Sequence, residues 1–253
     1  VVHTAGGMPI YHEVFDGNTA EAPTLQPTLK KVLSRYPHIR RLVVVADRGL
    51  LSLDNIDALS KLQAGSGRAL EFILAVPGRR YGEFVHLLRP ISEQAAQASE
   101  EDVAECEWQG HRLVVAHNPL QAAQQTQDRL SRIHALEQRA AQLAGKLDAQ
   151  EAGAVQRGRK LSDSGAKARF FHEVSDAHLA RIIKVDLKCD LFTYSIDEAA
   201  LARAQIMDGK LMLVTNVQDM TAADVVRRYK SLADIERGFR VLKSEIEIAP
   251  VFH

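Results

Sequence analysis

Two short apolar runs constrain this chain more than any other feature. Arg41 to Ala46 reads RLVVVA, and Ala69 to Val76 reads ALEFILAV. Both are short and almost continuously apolar, and the first is β-branched. Each therefore reads as a strand covered on both faces. Between them lies a helix-length stretch capped by Ser52 or Asp54 and running to about Ala64. Strand, helix, strand is a crossover unit, right-handed by default, and it points to an α/β core. Upstream, Val1 to Thr4 and Ile10 to Phe15 flank the turn Ala5-Gly6-Gly7-Met8-Pro9 as two further strand candidates. Thr19 can cap a helix reaching about Tyr36, with Leu25, Leu29, Val32 and Leu33 at helical spacing and Pro37 to end it.

After residue 78 the pattern changes. Glu93 to Glu107 is acidic without a compensating cation, as in a solvated loop or a sheet edge. Residues 103–108 and 112–117 around Gln109-Gly110-His111 read as a hairpin. Pro119 opens a long Ala/Gln/Leu/Arg helix reaching at least Leu147, which suits either a partner surface or an internal brace. Residues 151–168 are rich in Gly, Ser and Lys/Arg without apolar period and read as a flexible connection. Ile182 to Val185, Leu191 to Ser195 and Lys210 to Thr215 are strand candidates, and a last helix starts near Thr221. The expected organisation is an α/β core of residues 1–78, an inserted α+β subdomain of residues 79–217, and a helix in residues 218–253 that completes the core.

Composition excludes several classes. With 32 basic and 32 acidic residues and 46% hydrophobic content, the chain is not intrinsically disordered. Cys106 and Cys189 are too few for a disulfide framework and have no metal-type spacing. The ten histidines form no zinc pattern, and no Walker loop, Gly-x-Gly-x-x-Gly or Gly-x-Ser-x-Gly motif occurs. No apolar run reaches the roughly 18 residues of a membrane span, and no signal-peptide pattern opens the chain. A cytoplasmic location is expected. The zero net charge hides clustering. Lys30, Lys31, Arg35, Arg40, Arg41 and Arg48 lie near Asp47 in sequence, and Arg227, Arg228, Lys230, Arg237, Arg240 and Lys243 lie near Glu236. A neutral sum can cover a basic face, and phosphate attraction depends on that local field.

The final helix carries the sharpest pattern. Thr221 followed by Asp224 is a capping-box-like start. Val225, Leu232, Ile235, Phe239, Leu242 and Ile246 form an apolar stripe. Beside it Tyr229, Glu236 and Lys243 recur every seven residues, an offset of only ~20° per step, so phenol, carboxylate and ammonium share one flank. Arg240 stands one turn after Glu236, within pairing range. An ordinary amphipathic helix with a Glu–Arg pair has the same spacing. A functional reading needs a second carboxylate, and Asp47 supplies one at the end of a strand, where α/β sheets place ligand groups. Two such carboxylates can share Mg²⁺, and paired ions can clamp the attacking and leaving oxygens of phosphoryl transfer.

The run from Tyr229 to Lys243 resembles the signature of DDE insertion-sequence transposases, in the group with the pattern Y-(2)-R-(3)-E-(6)-K. Tyr229, Glu236 and Lys243 match it, and Leu232 stands where the pattern has Arg. Asp47 in VVVADRG resembles the family's second catalytic acid, and GGMPIYHEVFDGNTAE, RLVVAHNPLQA, IIKVD, DGKLMLVTN and IEIAPVFH resemble family landmarks. The resemblance implies a ribonuclease-H-like mixed sheet interrupted by the inserted subdomain. It implies Asp47 and Glu236 as catalytic metal ligands for two Mg²⁺ or Mn²⁺ ions. Tyr229, Arg240 and Lys243 become DNA-binding residues, and the partners are transposon-end and target DNA, with two copies pairing on DNA and no membrane. Trp108 would stack a flipped base or belong to the core. The family's first Asp and its N-terminal DNA-binding domain would precede Val1, so the chain is expected to be an internal fragment inactive by itself. The alternatives are a non-catalytic degenerate relative acting in DNA binding or assembly, and a hydrolase of another phosphodiester.

Overall fold

The structure, a computed structural model, describes residues 2–4, 8–16, 18–19, 21–46, 56, 59, 61, 67, 70–95, 100–153 and 160–233. The chain divides into two compact units. One holds Val1–Tyr81, Asp102–Ala116 and Leu211–His253, and the other holds Gly82–Glu101 and His117–Lys210.

In the first unit β1 (Val2–His3) pairs antiparallel with β2 (Pro9–Tyr11), Val2 opposite Tyr11. The second strand ends well before Phe15, because Val14 and Phe15 are exposed and lie outside this short ladder. Helix α1 (Glu21–Arg35) buries Leu29 and Val32, and the Tyr36 hydroxyl after it donates to the Ile10 carbonyl at 2.6 Å. Strand β3 (Val43–Ala46) pairs in parallel with β4 (Glu71–Ala75), Val43 opposite Glu71 and Ala46 opposite Leu74. Helical Ile56 and Leu59 in the crossover are buried, while its expected cap at Ser52 or Asp54 lies outside the described residues.

Strands β5 (Asp102–Trp108), β6 (His111–His117) and β9 (Lys210–Thr215) complete a five-stranded sheet ordered β3-β4-β9-β6-β5. Strand β9 runs antiparallel to β4, with Ile73 opposite Thr215, so the sheet is mixed. Every residue of β4 is buried, as its unbroken apolar run requires. By contrast β3 lies at the edge among the described strands, and only its alternate residues, Val44 and Ala46, are fully buried. Its apolar character reflects a second, half-buried face, where Val43 and Val45 pack against the cluster of Ile73, Val114, Leu213 and Val225. The β5–β6 hairpin forms where expected, and its turn places Gln109 and Gly110 at φ 51° and 75°, the left-handed pair that matches strand twist.

The second unit contains helices α2 (Val85–Ala95), α3 (Pro119–Glu151), α4 (Asp163–Asp176) and α5 (Glu198–Met207), with an antiparallel pair β7 (Ile183–Lys188) and β8 (Leu191–Ile196). Its core joins Ile133, Leu136, Ala140 and Leu143 of α3 to Ala166, Phe170 and Val174 of α4 and to Ile183 of β7. Phe170 meets Phe192 and Tyr194 edge-on at centroid distances of 5.6 and 5.5 Å. Residues 163–168 correct the expected flexible connection: they are helical, because Ser162 caps Gly165 and Ala166, Phe170 and Val174 recur every four residues on the buried face. Helices α2 and α5 carry little sequence signal, α2 because Pro90 lies inside it and α5 because no residue of its short length is fully buried.

Candidate active site

Helix α6 (Ala222–Lys230) returns to the first unit and packs on the sheet against both β3 and β5. Thr221 caps it as the sequence requires: its hydroxyl oxygen accepts from the Asp224 backbone N–H at 3.1 Å, and the hydroxyl donates to the Asp224 carboxylate at 2.7 Å. Val225 and Val226 are buried, and Tyr229 packs half-buried against the same cluster as Val43 and Val45. Ser231 follows the helix, its hydroxyl donating to the Arg228 carbonyl at 2.7 Å, and Leu232, again helical, is half-buried.

Of the site residues read from the sequence, Tyr229 is placed as described. Asp47, Glu236, Arg240 and Lys243 lie outside the described residues, as do Arg48 and Arg237 of the two cationic clusters. Ala46, the last described residue of β3, immediately precedes Asp47. Among the described residues no group of three or more His, Cys, Asp or Glu side chains gathers as a metal site.

The loop between β9 and α6 is tied down by Arg41, which the sequence places only in a cationic cluster, and by two side chains without a sequence motif, Arg112 and Asn216. Arg41 donates through Nε to Glu71 Oε2 at 2.6 Å and through both terminal nitrogens to Asp219 at 2.9 and 2.6 Å. The two carboxylates, Glu71 first, hold the Arg41 guanidinium still more firmly protonated than usual. Arg112 of β6 donates to the carbonyls of Val217 and Met220 at 3.1 and 2.7 Å. Asn216 accepts from the Phe72 N–H at 2.8 Å and donates to the Leu70 carbonyl at 2.9 Å, extending β4 with a side chain in place of a strand. These contacts fix where α6 starts, and so where its flank lies over the sheet.

Three cations of the two clusters are paired: Arg41 is held by Glu71 and Asp219, Lys31 by Glu13, and Arg227 by Asp224, while Lys30, Arg35 and Arg228 are exposed. Trp108 is half-buried at the end of β5, with the Arg80 guanidinium 5.8 Å from its ring centroid.

The sequence landmarks around His117 and Gly209 also prove structural. In the second unit Asn118 caps α3, accepting from Gln121 N–H at 2.9 Å, with Pro119 in the first turn, where its missing N–H costs nothing. Asp208 is buried and takes a two-point contact from Arg129 at 2.7 and 2.5 Å and a hydroxyl from Thr126 at 2.7 Å. Lys210 Nζ lies 2.8 Å from His117 Nδ1, and burial pushes the ammonium pKa down.

A family model described as the transposase DDE domain matches residues 1–248. No curated protein and no solved structure matches the chain. Proteins of this family are nucleases of the transposase kind that act on DNA and generally use divalent metal ions. The mixed sheet with its covering helices is consistent with the ribonuclease-H-like fold this implies. No helix among the described residues is long and apolar enough to cross a membrane. With the match extending over nearly the whole chain, this protein belongs to the DDE transposase family.

Proposed function

We propose that the enzyme to which this chain belongs cuts transposon-end DNA and joins it to a target by two-metal phosphoryl transfer, with Asp47 and Glu236 as metal ligands. The observation that carries the reading is the seat of α6: it packs on β3, the strand that ends one residue before Asp47, and it leads toward Glu236. The two side chains are carboxylates, the oxygen donors that Mg²⁺ prefers, so they suit that ion chemically. When bound, a metal pair would activate the attacking oxygen and neutralise charge on the leaving one. This chain's own residues do the rest. Tyr229 and Lys243 present a hydroxyl and an ammonium to the DNA phosphate, and Arg240 supplies a forked donor to it. Arg41, Arg112 and Asn216 hold the loop before α6, so the helix enters the site in one register. The first unit is read as the catalytic core and the second as the inserted subdomain. Two copies pair on DNA to bring transposon ends together, and the work is done in the bacterial cytoplasm.

A second reading, a non-catalytic DNA-binding or assembly module, draws on Leu232: a half-buried aliphatic group stands where the resembled signature carries Arg. Mn²⁺ titration followed by water-proton relaxation separates the two. The catalytic reading expects saturable Mn²⁺ binding that Asp47→Ala and Glu236→Ala each weaken at least tenfold. Unchanged binding in both variants refutes the metal site, and DNA binding without any Mn²⁺ site supports the second reading.

A further inference from the structure

We propose that the outer face of α1, around Lys30, Ser34 and Arg35, is a binding site for a backbone phosphate of duplex DNA, separate from the residues assigned to the chemistry. The inference rests on the DNA-acting reading but not on the metal site. Tyr11, Lys30, Lys31, Ser34 and Arg35 line an open depression of about 560 Å³ in the first unit. Its basic residues come from the exposed side of α1: Lys30 and Ser34 are one turn apart, as are Lys31 and Arg35, so the cations spread across that side, while Leu29 and Val32 are buried in the core.

The lining is organised unequally. Glu13 pairs with Lys31 and also accepts from the Thr28 hydroxyl at 2.9 Å and from the Tyr11 hydroxyl at 3.3 Å. This carboxylate therefore orders one wall and neutralises one of the three cations. Lys30 and Arg35 make no ion pair, and Ser34 no hydrogen bond, among the described residues; all three are exposed. Two cations thus remain over a concave surface with a free hydroxyl between them. Arg41 and Arg227, by contrast, are held by carboxylates, and of the exposed cations without an ion pair among the described residues of the first unit, Lys30 and Arg35 are the ones that line a depression. A lysine, an arginine fork and a hydroxyl lining a shallow, open cleft suit a tetrahedral phosphate that remains attached to a long polymer. A deep pocket would be expected for a small free ligand, and an apolar rim for a lipid. The site would position the duplex without reading its sequence.

The test uses the whole chain in EDTA, so that metal chemistry plays no part, with a fluorescent duplex of about 30 base pairs. Each phosphate contact contributes about 0.9 to the slope of log affinity against log salt. Lys30→Gln with Arg35→Gln is expected to reduce that slope by about 0.9, whereas Lys146→Gln with Lys188→Gln, exposed lysines of the second unit, leaves it within about 0.3 of the parent. Lysine acetylation read by mass spectrometry gives an independent signal: duplex DNA should slow modification of Lys30 at least threefold. An unchanged slope in the Lys30/Arg35 variant, or undiminished acetylation of Lys30 in bound DNA, overturns the inference. So does equal protection by inorganic phosphate at matched ionic strength, which would make the ligand a free anion. Failure of the chain to bind duplex at any salt overturns it too, and leaves the Mn²⁺ result to decide the metal site independently.

Discussion

Gly209→Ala should be among the most damaging single substitutions outside the hydrophobic core. Gly209 sits at φ +64°, and a Cβ there would lie 2.4 Å from the Asn118 carbonyl oxygen, 2.8 Å from Ala122 Cβ and 2.9 Å from Ala122 N. Two of these atoms are backbone and the third is fixed to it, so no rotamer relieves the clash. The atoms struck also begin α3. The Asn118 carbonyl accepts from Ala122 N–H at 2.9 Å, and the Asn118 N–H donates to the Gly209 carbonyl at 2.9 Å. The Gly209 N–H in turn donates to Gln125 Oε1 at 2.8 Å. The left-handed backbone alone costs an alanine about 1 kcal/mol. Displacing the chain far enough to clear the contact weakens two hydrogen bonds at about 1 kcal/mol each and adds overpacking strain of about 1 kcal/mol or more. The expected loss is therefore about 4 kcal/mol. Gly110→Ala is the control, because Gly110 has φ +75° with nothing within 4 Å of its added Cβ, and it should lose only about 1 kcal/mol. Amide hydrogen exchange at Gln121 and Ala122 reads the local opening free energy of the α3 start, and urea unfolding followed at 222 nm reads the whole. Equal losses in the two variants would refute the close-approach reasoning, since backbone conformation would then explain both.

Three further outcomes follow from single contacts. Asp190→Gly should stabilise the β7–β8 hairpin by about 1 kcal/mol in thermal unfolding, because the Cys189-Asp190 turn holds non-glycine residues at φ 50° and 64°; a loss of stability would show that Asp190 makes a contact worth more than the strain. Thr221→Ala should cost about 1 kcal/mol by uncapping α6, with Thr221→Ser recovering most of it; exchange at the Asp224 amide distinguishes a cap effect from a general one. The Lys210 ammonium is pushed below its ordinary 10.5 by burial first, opposed by Asp208. The native state then binds fewer protons than the unfolded state between that lowered value and 10.5, so this group makes stability rise with pH across that window. Lys210→Met should remove that rise, and identical pH–stability slopes in the two proteins would contradict the assignment.

The long periodic or strongly β-branched segments were readable because local chemistry and tertiary burial agree there. Strands β4 and β9, the β5–β6 hairpin, α1 and α3 lie close to their expected bounds. The Thr221 cap was legible for the same reason, since a hydroxyl followed by an acid three residues later satisfies the first orphan amides of any helix. Helix α4 was missed because its start is Gly- and Ser-rich, and only the core built by α3, β7 and β8 makes Ala166, Phe170 and Val174 a buried face. Which cations of the two clusters are paired is not legible in the sequence, because sequence proximity says nothing about ion pairing. Asp219, the partner of Arg41, is 178 residues away along the chain.

By itself, the sequence determined the α/β class, the strand that leads to Asp47 and the capped helix that leads to Glu236. These rest on periodicity, β-branching and capping, which act within one segment. Only the tertiary structure decided that β3 lies at the edge among the described strands, and that the hairpin of residues 102–117 joins the same five-stranded sheet in spite of its place within the stretch expected to be inserted. It also decided that Arg41, Arg112 and Asn216 anchor α6, and that Lys30 and Arg35 remain open while Lys31 and Arg41 are paired. Strand order, ion-pair choice and close backbone approach all depend on residues distant along the chain, and no local pattern encodes which of them meet.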